Sequence, residues 1–184
     1  MTFWLPGLNL RLSVPGPDAI WRGRVGWRLT GLNEKGLAGG SCRVSMAGAA
    51  VSIAADAAFH VIPYDTRQFD PSSWFDLVNF RYTPQIPGIY RISANMRWKT
   101  AFVADKRVFL AVYKNAAIYS YLSVFYSHAK DDWGVSGTDL VDFNGSTDYV
   151  DIRVRQDDTA ARSIQEGKNH TFFTAQLLGR YGIG

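Results

Sequence analysis

The clearest periodic stretch is GIYRISANMRWK, Gly88 to Lys99. Tyr90, Ile92, Ala94, Met96 and Trp98 alternate there with Arg91, Ser93, Asn95, Arg97 and Lys99. A period of two sends alternate side chains to opposite faces, so the pattern predicts a long strand with one buried face. Just before it, Pro84 and Pro87 lack the amide hydrogen that a ladder needs, and PQIPG reads as the connection feeding this strand. Further strands are predicted over Phe59–Tyr64, Arg107–Asn115, Ala117–Ser127, Gly137–Asn144, Asp148–Gln156 and His170–Gly179. Lys114-Asn115-Ala116 resembles a tight hairpin, although no glycine supplies the positive φ, and Asn144-Gly145 is a strong turn signal. Ala47–Phe59 has helical propensity, but its alternating small residues favour a strand. No segment after residue 60 has helical periodicity.

Short strands separated by turns predict an all-β chain, an antiparallel jelly-roll β-sandwich of about ten strands. Several of these strands are apolar on both faces. In a two-layer sandwich one face meets the core and the other meets water, so a second apolar face calls for another copy of the chain.

The start of the chain has a different character. Residues 1–43 carry Arg11, Arg22, Arg24, Arg28, Lys35 and Arg43 against Asp18 and Glu34, which accounts for the whole net charge of +4. These cations are too widely spaced for a nucleic-acid footprint and suit an acidic protein surface. The chain divides at LNEKGLAGGS into an irregular docking extension, residues 1–41, and a jelly-roll domain, residues 42–184. Phe3, Trp4, Arg11, Trp21, Arg22, Arg24, Trp27 and Arg28 are the candidate docking residues. They have few means of burying themselves alone and are expected to order against neighbouring subunits or a particle protein. The start lacks the basic region of a signal peptide, and no run of 18 apolar residues exists, so membrane insertion is not expected. A single cysteine, Cys42, permits no intrachain disulfide and suits a reducing compartment.

The segment F-x-Y-x-P-x-x-P-G-I-Y at Phe80–Tyr90 resembles the trimeric jelly rolls of the complement C-one-q globular head and the tumour necrosis factor relatives. VFLAVYKNAAI, VSGTDLVDFNGSTDYVDIRV and HTFFTAQLLGR resemble later strands of that family, in order, over roughly residues 42–181. The resemblance implies ten antiparallel strands in a Greek-key jelly roll and a tight homotrimer. Within it, Asp65, Phe69, Asp70, Phe75 and Asp76 match a pattern seen in structural proteins of tailed bacteriophages. There the jelly roll serves in fibres, spikes and appendages whose N-terminal segments fasten the trimer to the particle. A gene transfer agent fits equally. The resemblance thus implies a virion-type protein made in the bacterial cytoplasm, a head spike or tail fibre head that attaches to a capsid or tail protein and contacts a host-surface glycan or protein.

Candidate chemistry is sparse. His60, His128 and His170 are far apart and match no metal-ligand spacing. Ser136 lacks the full nucleophile-elbow pattern, and no glycine run leads into a phosphate-binding Lys-Ser/Thr. Asp131-Asp132 and Asp157-Asp158 lack calcium-loop spacing and are expected to be solvated. No cofactor, metal or catalytic residue is therefore assigned. Recognition is assigned to loops, foremost Tyr126, His128, Lys130, Asp131, Asp132 and Trp133, with the polar loop Asp157–Lys168 as a further candidate. The competing class is a glycan-degrading enzyme on a β scaffold, with Asp105 and Asp131/Asp132 as its carboxylates.

Overall fold

A computed structural model describes residues 2–4, 11–13, 40–127 and 133–180. The chain divides into two units, Met1–Ala38 and Gly39–Gly184. In the first, β1 (Thr2–Trp4) pairs antiparallel with β2 (Arg11–Ser13). Phe3, Trp4 and Arg11 fall on these strands, whereas Trp21, Arg22, Arg24, Trp27 and Arg28 lie outside the described residues.

The second unit is an antiparallel β-sandwich with no helix among its described residues. One sheet, called here the inner sheet, runs β12 (Gly134–Phe143), β9 (Gly88–Arg97), β15 (Phe172–Arg180), β3 (Ser41–Ser45), β6 (Thr66–Phe69). The facing outer sheet runs β11 (Ala117–Tyr126), β10 (Arg107–Lys114), β13 (Val150–Gln156), β8 (Arg81–Tyr82), β7 (Phe75–Asp76), with β5 (His60–Val61) also on β13. A short ribbon joins β4 (Val51–Ile53) to β14 (Arg162–Ile164). The strand count exceeds ten because the connections contribute pieces of two to four residues. Ala47–Phe59, expected as one strand, yields only β4.

The alternation in β9 is realised as predicted. Tyr90, Ile92, Ala94, Met96 and Trp98 are buried, and they meet Val108, Leu110 and Val112 of β10 and Val150, Ile152 and Val154 of β13 in one core. The Pro-Gly entry to β9 has a steric reason. Gly88 has φ 157°, and a Cβ there would collide with the carbonyl oxygen of Gly179 on β15. The β10–β11 hairpin closes through Asn115 (φ 51°) and Ala116 (φ 66°), so an alanine occupies a position that glycine would fill without strain.

The acidic residues of the phage-like pattern hold turns. Asp65 accepts from the Ala47 and Gly48 amides and the Thr66 hydroxyl. Asp70 accepts from the Trp74 and Phe75 amides, and Asp76 from the amides of Val78 and Asn79. Each replaces a missing ladder partner with a carboxylate oxygen, as short polar side chains commonly do in turns.

The segment after β13 corrects the expectation of a free polar loop. The buried Gln156 side chain donates to Ala54 O (2.9 Å) and Ala160 O (3.2 Å), and its own oxygen accepts from the Asp158 amide (2.6 Å). The Asp158 carboxylate, expected to be solvated, is fully buried and accepts from Val103 N (3.1 Å), Thr159 N (2.6 Å) and Arg162 Nε (2.6 Å). Downstream, β14 pairs with β4, Gln165 N reaches Arg97 O and Gly167 N reaches Met46 O. Burial alone would raise the Asp158 carboxyl, but the Arg162 hydrogen bond and the two amides outweigh it and hold the group below the usual range.

Candidate binding surface

The outward side of the outer sheet is set by the period of two in β10. Val108, Leu110 and Val112 point into the core, which turns Arg107, Phe109 and Tyr113 outward. The register places Tyr126, Val124 and Ile118 of β11 beside these three residues in turn, with Tyr121 beside Ala111. On the other side Arg155 lies beside Phe109, Arg153 beside Ala111 and Asp151 beside Tyr113. Phe59, from the connection ahead of β5, folds onto this row, with ring centroids 6.2 Å from Phe109, 5.5 Å from Tyr113 and 6.3 Å from Tyr121.

Guanidinium groups cover part of the platform. Arg153 stands 4.0 Å over the Tyr113 ring, Arg155 5.0 Å and Arg107 5.7 Å from the Phe109 centroid. These are cation–π distances. Asp151 holds Arg153 through two contacts (2.6 and 3.2 Å), and Asp157 bridges Arg155 (2.9 Å) and Arg107 (3.0 Å). The Asp151 hydrogen bond raises the Arg153 guanidinium, and burial pushes the Tyr113 phenol up. The same device covers Phe172 on the inner sheet, where Arg43 lies 3.9 Å above the ring. The apolar second face of β10, expected to need another copy of the chain, is thus largely covered from within by Phe59 and three arginines.

What stays uncovered is β11. Ile118, Tyr119, Tyr121, Val124, Phe125 and Tyr126 are all exposed, Tyr126 to 58%. The strand has no charged residue and lies at the edge of its sheet. Natural edge strands are normally protected by charge or proline. Beside it runs β12, the edge of the inner sheet, so both long edges lie on one flank. Tyr119 Oη donates to Leu140 O across the seam (3.3 Å), and Leu140 is itself exposed. Gly137 allows this approach: a Cβ there would stand 2.8 Å from the carbonyl carbon and Cβ of Leu122. Lys114 closes the end of the seam by bridging Asp142 (3.1 Å) and Asp148 (3.2 Å).

On the inner sheet's outward side lies a shallow depression of about 420 Å³, lined by Phe69, Arg91, Ser93, Thr174 and Gln176 among others. Arg91 itself sits in mid-strand, paired with Leu140 on β12 and Gln176 on β15.

The residues assigned from sequence to recognition distribute unevenly. Tyr126 ends β11 on the outward side, opposite Arg107. Trp133 is half-buried and packs against Phe102 (5.1 Å), Phe125 (5.4 Å) and Trp98 (6.2 Å). His128, Lys130, Asp131 and Asp132 lie outside the described residues. Sequence reasoning missed the platform itself, of which Phe59, Tyr121, Arg153 and Arg155 are the main parts. The only local signal was the run of aromatics in β10 and β11. Among the described residues no three His, Cys, Asp or Glu side chains gather as a metal site. His60 pairs with Asp56 (2.8 Å) and His170 with Arg97 (3.3 Å). Burial, reinforced by Asp70, pushes the Cys42 thiol up and away from reactivity.

Comparison with known proteins yields no matching family model and no matching curated protein. Solved structures do match. Murine APRIL at pH 8.0 superposes with a TM-score of 0.54 at 9% identity, over 75% of this chain and 98% of that chain. Murine APRIL at pH 8.5 gives 0.53 at 10% identity, over the same shares. Eiger TNF from S. frugiperda gives 0.50 at 14% identity, over 77% and 94%. The likeness establishes the fold: an all-β jelly roll like that of these tumour necrosis factor-type structures.

Proposed function

We propose that this chain is a trimeric spike or fibre head of a phage-like particle, fastened by residues 1–41 and presenting its jelly roll to a host surface. The observation that carries the reading is β11, an uncharged edge strand of ten residues with six exposed large apolar side chains, set beside the second long edge, β12. A lone copy leaves the seam residues Tyr119 and Leu140 wet, and self-association removes them from water. The jelly-roll fold supports three copies through the family resemblance. The pattern of Asp65, Phe69, Asp70, Phe75 and Asp76 supports the phage-type setting. The concentration of positive charge before residue 44 supports docking on an acidic particle protein. Repeated weak contacts, three per trimer and several trimers per particle, then hold the host by avidity.

Light scattering of the purified protein tests the assembly: three chains of 20.5 kDa are expected, and Leu140→Lys should yield monomers. A parent protein that is monomeric at micromolar concentration overturns it. Deletion of residues 1–40 should leave a folded trimer that no longer enters particles, and normal incorporation of that trimer overturns the docking role.

A further inference from the structure

We propose that the outward face of the outer sheet, the platform of Phe59, Phe109, Tyr113 and Tyr121 edged by Arg107, Arg153 and Arg155, is a binding surface for acidic polysaccharide. The proposal rests on the host-contact reading above and names its ligand class and location.

The chemistry of the face selects this occupant. Tyr121, 52% exposed, and the half-buried Phe59 offer flat apolar area for the C–H face of a sugar, at little entropic cost because each has only two side-chain torsions, while the arginines lie over Tyr113 and Phe109. No described group hydrogen-bonds the hydroxyls of Tyr113, Tyr121 or Tyr126. Three guanidinium groups stand against two carboxylates, Asp151 and Asp157, leaving the patch one unit positive. Each guanidinium has five N–H donors, and the carboxylates take only part of them. The arginines are also fixed in place, since each is tied to a carboxylate and lies over a ring. A purely apolar partner would strip water from these hydroxyls and donors without replacing it. A sugar bearing carboxylate or phosphate supplies an apolar ring face, hydroxyls and negative charge together, and charge-assisted bonds to a fixed guanidinium are the strong kind. Tyr121, about half exposed, is the natural stacking residue, and Arg107, also about half exposed, is the most accessible cation.

The test uses the full-length protein on immobilised oligogalacturonate (carboxylate), phosphomannan (phosphate) and dextran (neutral). At least one acidic glycan should be retained, tenfold or more above dextran, and retention should fall as salt rises. Whether carboxylate or phosphate is preferred identifies the source of the charge. Tyr121→Ala and Arg107→Gln should each lower retention at least tenfold, while circular dichroism and solution mass stay at parent values. The proposal is overturned if neither acidic glycan is retained, if dextran is held equally, or if Tyr121→Ala binds as the parent does. It is also overturned if Tyr121→Ala lowers the solution mass, because the face is then a contact between copies. A parent trimer that binds no acidic glycan overturns this site alone. A parent monomer that binds through Tyr121 overturns the assembly reading alone.

Discussion

Replacing Asp158 with asparagine keeps the shape of the side chain and removes its charge. Both carboxylate oxygens are in use: one accepts from Val103 N and Arg162 Nε, the other from Thr159 N and, at 3.3 Å, the Thr159 hydroxyl. An asparagine amide nitrogen must take one of these places and face donors, so at least one N–H loses its acceptor in either orientation. A hydrogen bond to a charged group is worth about 1.5–3 kcal/mol, and removing one partner of a buried ion pair costs about 3–5 kcal/mol. The Arg162 side chain keeps 18% exposure and can recover some hydration, which sets the expectation near the lower end, about 3 kcal/mol. For a domain of about 150 residues that corresponds to a fall in Tm of roughly 6–12 °C at pH 7, read by calorimetry. Asp157→Asn is the control, since that carboxylate bridges Arg107 and Arg155 nearer the surface and should cost about 1 kcal/mol or less. The depressed carboxyl of Asp158 adds a pH signature. Its stabilisation is complete above the ordinary aspartate range, near pH 4, and disappears as pH falls through the lower folded value. The gap between parent and Asp158→Asn should therefore close only in strong acid. An Asp158→Asn protein within 1 kcal/mol of the parent at pH 7, or one no worse than Asp157→Asn, refutes the clasp.

Two further outcomes are expected. Ala116→Gly relieves a left-handed alanine in the β10–β11 hairpin and should raise stability by about 0.5–1 kcal/mol in urea titrations, net of the added freedom of the unfolded chain; an unchanged or lower midpoint refutes the strain. Gly137→Ala forces β12 away from Leu122 and should cost about 1–3 kcal/mol, with faster amide exchange across Ala117–Tyr126; unchanged exchange there refutes the close approach as a constraint.

The legible parts of this sequence are those fixed by local period. β9 reads directly because its buried set is continuous and its exposed set is polar. The turn at Asn144-Gly145 reads because glycine supplies φ 74° at no steric cost. The segment after Gln156 is not legible in this way, because its polar residues turn inward rather than to solvent. Gln156 and Asp158 are buried on backbone partners more than fifty residues away, at Ala54 and Val103, which no local pattern encodes. The covering of Phe109 and Tyr113 has the same origin. Arginines on the neighbouring strand and a phenylalanine from a distant connection meet them only once the register is set. The excess of apolar surface was foreseen, but its concentration on β11 follows from where that strand sits in the sheet order.

The turn after β7 is tied locally by Asp76, which holds the Val78 and Asn79 amides, and is anchored on the core by Leu77. Val78 stands 82% exposed at its tip. A foreign peptide grafted at that point would hang from a pre-tied knot, clear of both sheets.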